Sequence, residues 1–145
     1  MKVLTILFLT FFVPSVTWMG NFNDAKVQAS KSHKLILINF SGSDWCGPCI
    51  RLRKEILETS NFENFATSHL VLVRADFPRQ KKNQLSKEQT KLNEALADKY
   101  NTKGAFPYTV LVDETGKVLK TWDGFPDESP DKFIAEIHRF TNVSK

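Results

Sequence analysis

The stretch Trp45-Cys46-Gly47-Pro48-Cys49 holds both cysteines of the chain, with a glycine and a proline between them. Residues three apart share one face of a helical turn, so the two thiols can close a disulfide or open to a dithiol. No other cysteine competes for either one. A loop this short constrains the unfolded chain very little, so the pair reads as redox chemistry and not as a structural staple.

Upstream, Leu35-Ile36-Leu37-Ile38-Asn39-Phe40 is an apolar run that predicts a buried strand leading toward the cysteines. A loop, Ser41-Gly42-Ser43-Asp44, follows, and a helix is expected from about Cys46 to Thr59 with Leu52, Ile56 and Leu57 inward. Asn61 to Phe65 reads as a second, short helical turn. Leu70 to Asp76 predicts another strand, parallel to the first, because the intervening helix supplies the crossover that parallel pairing needs.

The flanks complete the pattern. Trp18, Phe22, Ala25 and Ala29 fall at helical spacing, which predicts an amphipathic helix over Trp18–His33. Phe77 to Leu85 is a polar loop, after which Ser86-Lys87-Glu88-Gln89 resembles a capping box opening a helix with Leu92, Ala95, Leu96 and Tyr100. Tyr108–Asp113 and Lys117–Trp122 form a hairpin around Asp113-Glu114-Thr115-Gly116. Ser129-Pro130 opens a last helix with an apolar stripe at Phe133, Ile134, Ile137 and Phe140. The order α-β-α-β-α-β-β-α predicts an α/β fold, a central mixed β-sheet flanked by helices on both faces.

A Trp-Cys-Gly-Pro-Cys motif after a buried strand, with Gly104-Ala105-Phe106-Pro107-Tyr108-Thr109 before the strand Val110-Leu111-Val112, resembles the thioredoxin family over roughly residues 18–141. The resemblance implies a thioredoxin-like fold and a thiol–disulfide oxidoreductase without a cofactor. It assigns Cys46 as nucleophile and Cys49 as resolving thiol of a redox disulfide, Cys46–Cys49. The N-terminal end of a helix, where backbone N–H groups lack partners, favours a thiolate at Cys46. By the same resemblance Phe106-Pro107 is a cis-proline segment, and Trp45, Gly47, Pro48, Phe106 and Pro107 form the substrate-binding platform. The Gly47-Pro48 pair is similar to that of the reducing members. Where many thioredoxins bury an aspartate that handles the proton of the resolving cysteine, this chain has Asn39, which does not titrate, and the polar segment 77–91 is longer than in a minimal thioredoxin.

The composition suits one soluble domain: 145 residues, 41% hydrophobic and 25% charged. Val3 to Val13 is an apolar core behind Lys2, short for a membrane span and suited to a secretory leader, with cleavage after Ser15 or Thr17. The expected organisation is therefore a signal peptide, 1–17, and a thioredoxin-like domain, 18–145. Export places the protein in the periplasm of a Gram-negative bacterium, or outside the cell otherwise. In an oxidising compartment a lone CxxC pair fits a disulfide-exchange catalyst better than a scaffold. The expected partners are protein or peptide disulfides and a thiol electron donor, a membrane-bound one among the candidates, with the protein itself a monomer.

Formal charge is +4, part of it gathered at Arg79, Lys81, Lys82 and Lys87, but no aromatic platform interleaves these cations and no nucleic acid is expected. His33, His69 and His138 show no metal-ligand spacing, and Ile50 after Cys49 breaks the haem-attachment pattern. The competing class is a thioredoxin-fold binding or chaperone module without redox turnover, for which two intact thiols are superfluous.

Overall fold

The computed structural model describes residues 16–141. Of the expected leader, only Val16 and Thr17 fall among them, and the apolar run Val3 to Val13 lies outside the described residues. A five-stranded sheet in the order β1-β3-β2-β4-β5 forms the centre. Its strands are β1 (Trp18–Met19), β2 (Leu35–Ser41), β3 (Leu70–Asp76), β4 (Tyr108–Val112) and β5 (Val118–Asp123). β2 pairs in parallel with β3 and antiparallel with β4, with Asn39 opposite Arg74 on one side and Thr109 on the other.

Every residue of β2 is buried, because this strand has a neighbour on each edge and helices over both faces. Side chains of alternate residues go to opposite faces. Leu35 and Leu37 pack with Leu52, Ile56, Phe62, Phe133 and Ile137, from the helices α2 (Gly47–Leu52, continued by a wider turn to Leu57), α3 (Ser60–His69) and α5 (Pro130–Thr141). Ile36, Ile38 and Phe40 pack with Ala25, Ala29 and Leu96, from α1 (Phe22–Ser32) and α4 (Lys87–Tyr100). The expected layered α/β fold is the one observed.

Four local expectations are corrected. Trp18 is not helical: Trp18–Met19 is an edge strand paired in parallel with Leu72–Val73, and α1 starts only at Phe22. Asn21 sets that boundary, its side-chain oxygen accepting the N–H groups of Asn23 and Asp24. Trp18 keeps to the core side of the sheet, beneath the Arg74 guanidinium at 4.1 Å. The short turn at Asn61–Phe65 is a ten-residue helix, α3, capped by Thr59, because Phe62 and Ala66 both reach the core on one face.

The capping box at Ser86 is half formed. Ser86 Oγ accepts the Gln89 N–H at 3.1 Å, but the Gln89 amide turns away to the Gly20 carbonyl (2.9 Å) and to Asn93 Oδ1 (2.8 Å). Asn93 in turn donates to the Asp76 carbonyl at 2.8 Å and is buried, whereas Ala95 is exposed. The inward face of α4 is thus rotated from Ala95 toward Asn93 by a polar tether to Gly20, which follows β1, and to β3.

Candidate active site

β2 delivers the chain into a tight loop at Gly42, where no side chain fits: a Cβ there would lie 2.6 Å from the indole carbon Cζ2 of Trp45. The Gly42 carbonyl accepts the N–H groups of Trp45 (3.3 Å) and Cys46 (2.9 Å), which folds the loop back beneath the indole. Cys46 then caps α2, its sulfur accepting the Cys49 N–H at 3.3 Å, and Pro48 sits in the first turn where its missing N–H has no consequence. Cys46 and Cys49 are joined by a disulfide, with Cα atoms 5.2 Å apart. The Cys49 sulfur accepts the Gly42 N–H at 3.5 Å.

Both cysteines are buried, Cys46 at 5% exposure and Cys49 at 3%, so Cys49 is the deeper by a small margin only. Gly47 and Pro48 between them are exposed. What distinguishes the two sulfurs is position: one caps the helix, the other is held from the β2 loop. A cysteine at a helix cap has a better-stabilised anion than one a turn further in.

Beside the disulfide lies an aromatic surface. Trp45 Nε1 donates to the Phe77 carbonyl at 2.7 Å, and the Trp45 and Phe77 rings each meet the Phe106 ring edge-on, at 5.6 and 5.4 Å between centroids. The Arg79 guanidinium stacks on the open side of Trp45 at 3.6 Å. The Phe106–Pro107 peptide bond is cis. Phe106 is half-buried and Pro107 is buried, its carbonyl accepting the Gly124 N–H at 2.9 Å. The structure therefore brings Trp45 and Phe106 together beside the cysteines and places the Pro107 ring under the surface.

Some residues of this region escape a sequence reading. Asn101, buried, holds the approach to Phe106 by a two-way bridge: its amide donates to the Ala105 carbonyl (2.9 Å) and its oxygen accepts the Ala105 N–H (3.0 Å). Phe77 contributes the ring that joins the segment after β3 to Phe106. An asparagine at a helix end and a phenylalanine after a strand are too ordinary to stand out in one sequence.

Asn39 is buried and its amide donates to Thr109 Oγ1 at 3.2 Å, across the β2–β4 pair. Asp44 serves the loop after β3. Its carboxylate accepts the N–H groups of Arg79 (2.9 Å) and Gln80 (3.0 Å) and the Asn83 amide (2.9 Å). These bonds, the Arg79 N–H foremost, hold the Asp44 carboxyl below its ordinary range. Among the described residues no three His, Cys, Asp or Glu side chains converge where a metal could sit. His69 and His138 face each other at 5.6 Å between rings, both against Phe65. Burial first, then the charges of His138 and Lys34, lowers the pKa of His69.

Residues 22–141 match the model of the thioredoxin-like domain. The chain belongs to the thioredoxin-like family. This thioredoxin-like chain is 39% identical over 117 residues to a Chlamydia pneumoniae protein named disulfide bond reductase DsbH, covering 81% of the present chain and 68% of that one. It is 31% identical over 88 residues to the thioredoxin-related protein DsbJ of the same organism, spanning a quarter (25%) of that protein's length. Among solved structures it is similar to a DsbH oxidoreductase, with a TM-score of 0.80 and 29% identity over 99% of this chain and 96% of the other. With its Cys46–Cys49 disulfide, the thioredoxin-like chain is a thiol–disulfide oxidoreductase.

Proposed function

We propose that this chain reduces disulfides of exported proteins, with Cys46 as the attacking and Cys49 as the resolving thiol. The observation that carries this reading is the position of Cys46 as the cap of α2, next to an aromatic surface of Trp45, Phe77 and Phe106. In the dithiol form the Cys46 thiolate attacks one substrate sulfur and forms a mixed disulfide while the other substrate sulfur leaves as thiolate. Cys49 then attacks the Cys46 sulfur, closing the Cys46–Cys49 disulfide and releasing the second substrate thiol. The substrate gains two electrons and two protons, and the enzyme must recover both from a thiol donor, for which a membrane-bound dithiol protein is the proposed source.

Trp45, Gly47, Pro48, Phe106 and Pro107 form the proposed platform for the polypeptide around the target disulfide, with Gly47 and Pro48 exposed above the sulfurs and Pro107 supporting it from beneath. Export rests on the apolar leader, and cleavage after Ser15 retains Val16, which packs against the core with Trp18. The names of the relatives, disulfide bond reductase among them, support the direction of electron flow.

The test is a pair of variants with a reduction potential. Cys49→Ser should accumulate a mixed disulfide with a disulfide peptide, whereas Cys46→Ser should neither trap nor reduce it. The wild-type potential, by thiol trapping in dithiothreitol buffers, should lie near the thioredoxin value of about −270 mV. A potential closer to about −120 mV would make the protein an oxidant. Trapping through Cys49 alone would exchange the two roles.

A further inference from the structure

Between the segment after β3 and the helix α4 lies an open cavity of about 530 Å³, within the range of about 300–1,000 Å³ usual for binding sites. Its apolar wall is Phe77, Pro78 and Leu85, and its far side is α4 with Lys87, Lys91 and Glu94. Phe77 is the partition between this cavity and the active site. Its ring meets Phe106 and its carbonyl holds the Trp45 indole, one residue from Cys46.

The segment is fastened to the active-site loop. Asp44, in the loop that leads to Cys46, binds two backbone N–H groups and one side chain of residues 79–83, and Arg79 covers Trp45. The cavity therefore stands at a defined place next to the Phe77 ring that meets Phe106.

The segment that borders the cavity is basic. Residues 77–91 carry five cations, Arg79, Lys81, Lys82, Lys87 and Lys91, against the single carboxylate of Glu88, an excess equal to the +4 of the whole chain. All five cations are exposed, and none is in an ion pair among the described residues. Of these five cations Lys87 and Lys91 line the cavity itself, together with Glu94 and with Asp76, which is engaged by the Ser43 N–H and hydroxyl, so the excess positive charge stands on the bordering segment.

We infer that this cavity is a second docking subsite for the polypeptide of a disulfide substrate, taking an apolar side chain flanked by acidic residues while the target disulfide lies over Cys46. This specificity inference rests on the proposed reductase reading. The occupant is an extended acidic–apolar segment, because an apolar pocket bordered by a basic segment complements that pattern, and continuity with the aromatic surface through Phe77 lets one chain reach both.

The experiment separates docking from redox chemistry. Binding is followed by fluorescence anisotropy with a cysteine-free, fluorescein-labelled peptide carrying one leucine among glutamates, and with its lysine counterpart. The full chain should bind the acidic peptide at least about fivefold tighter at low salt, with the gap closing as salt screens exposed charge. The double variant Lys87→Glu/Lys91→Glu should abolish or invert the preference, and Leu85→Ser should weaken the acidic peptide severalfold. Reduction of the neutral bis(2-hydroxyethyl) disulfide should be unchanged in both variants. Equal binding of the two peptides by the wild type, or unaltered preference in the lysine variant, overturns the subsite. Anionic vesicles that displace the acidic peptide at equal charge concentration would assign the basic segment to membrane surfaces and overturn the subsite as well. Peptide preference without turnover of the neutral disulfide would retain the subsite and sink the reductase reading instead.

Discussion

The carboxylate of Asp44 accepts the backbone N–H of Arg79 at 2.9 Å, joining two loops thirty-five residues apart in the chain. One loop leads into the cysteines and the other leaves the second central strand. An aspartate beside a CxxC motif invites a role in proton transfer, but here both carboxylate oxygens are engaged by residues 79–83.

Asp44→Asn should therefore release the 77–86 segment. Trypsin should cut after Lys81 or Lys82 several times faster in the variant, read as the rate of appearance of the two fragments on a gel. The wild type should behave in the same direction in acid. The folded pKa of Asp44 lies below its unfolded value, so the tether is complete above pH 3.8 and is lost as pH falls through the lowered value. An acid-resistant protease, used across that range, should find the segment newly accessible.

Gly42→Ala puts a methyl group into the Trp45 indole, 2.6 Å from Cζ2. The indole must move, giving up its hydrogen bond to the Phe77 carbonyl. Overpacking of this kind costs about 1–3 kcal/mol. Urea unfolding should show that loss, and tryptophan emission should report the displaced ring.

Phe133→Ala removes a fully buried ring that lies 4.9 Å from Trp122 and 6.2 Å from Phe62, ring centre to ring centre. The expected loss is about 3–5 kcal/mol, measurable as a lowered urea midpoint with an unchanged slope. A loss under about 1 kcal/mol would mean that α5 closes over the cavity, contrary to the close packing seen here.

Asn39→Asp installs a carboxyl at a site 3% exposed, where among the described residues the Thr109 hydroxyl is the side chain's hydrogen-bonding partner. Burial raises a carboxyl pKa, and each unit of rise removes about 1.4 kcal/mol of stability at neutral pH. The deficit is present above the folded pKa and vanishes as pH falls below the unfolded value of about 3.9. Unfolding midpoints of the variant and the wild type should therefore converge from pH 7 toward pH 4.

The central strands, the hairpin and the last helix were legible because each carries its own period or boundary signal: seven buried residues in β2, a turn at Asp113–Gly116, a stripe through Phe133 and Ile137. The cis Phe106–Pro107 bond and the helix start at Cys46 were legible through family resemblance and local cap chemistry. Trp18 departs from the helical expectation because a two-residue edge strand is too short to show alternation, and its neighbours at Phe22, Ala25 and Ala29 offer a helical period that Asn21 cuts off. Ala95 departs from the expected apolar face because α4 is oriented by the Asn93–Asp76 hydrogen bond, and a polar tether leaves no mark in an apolar pattern.

By itself the sequence determined the layered α/β architecture and the disulfide-forming pair, since hydrophobic periodicity, turn residues and a three-residue spacing are local and act wherever the chain is placed. Tertiary structure alone decided that Phe77 meets Phe106, that Asp44 holds Arg79 and Gln80, that Asn39 bonds Thr109, and that a cavity opens between Phe77 and α4. Each of those contacts joins residues distant in the chain, and they come within hydrogen-bonding or van der Waals range only once the sheet has paired and its helices have packed.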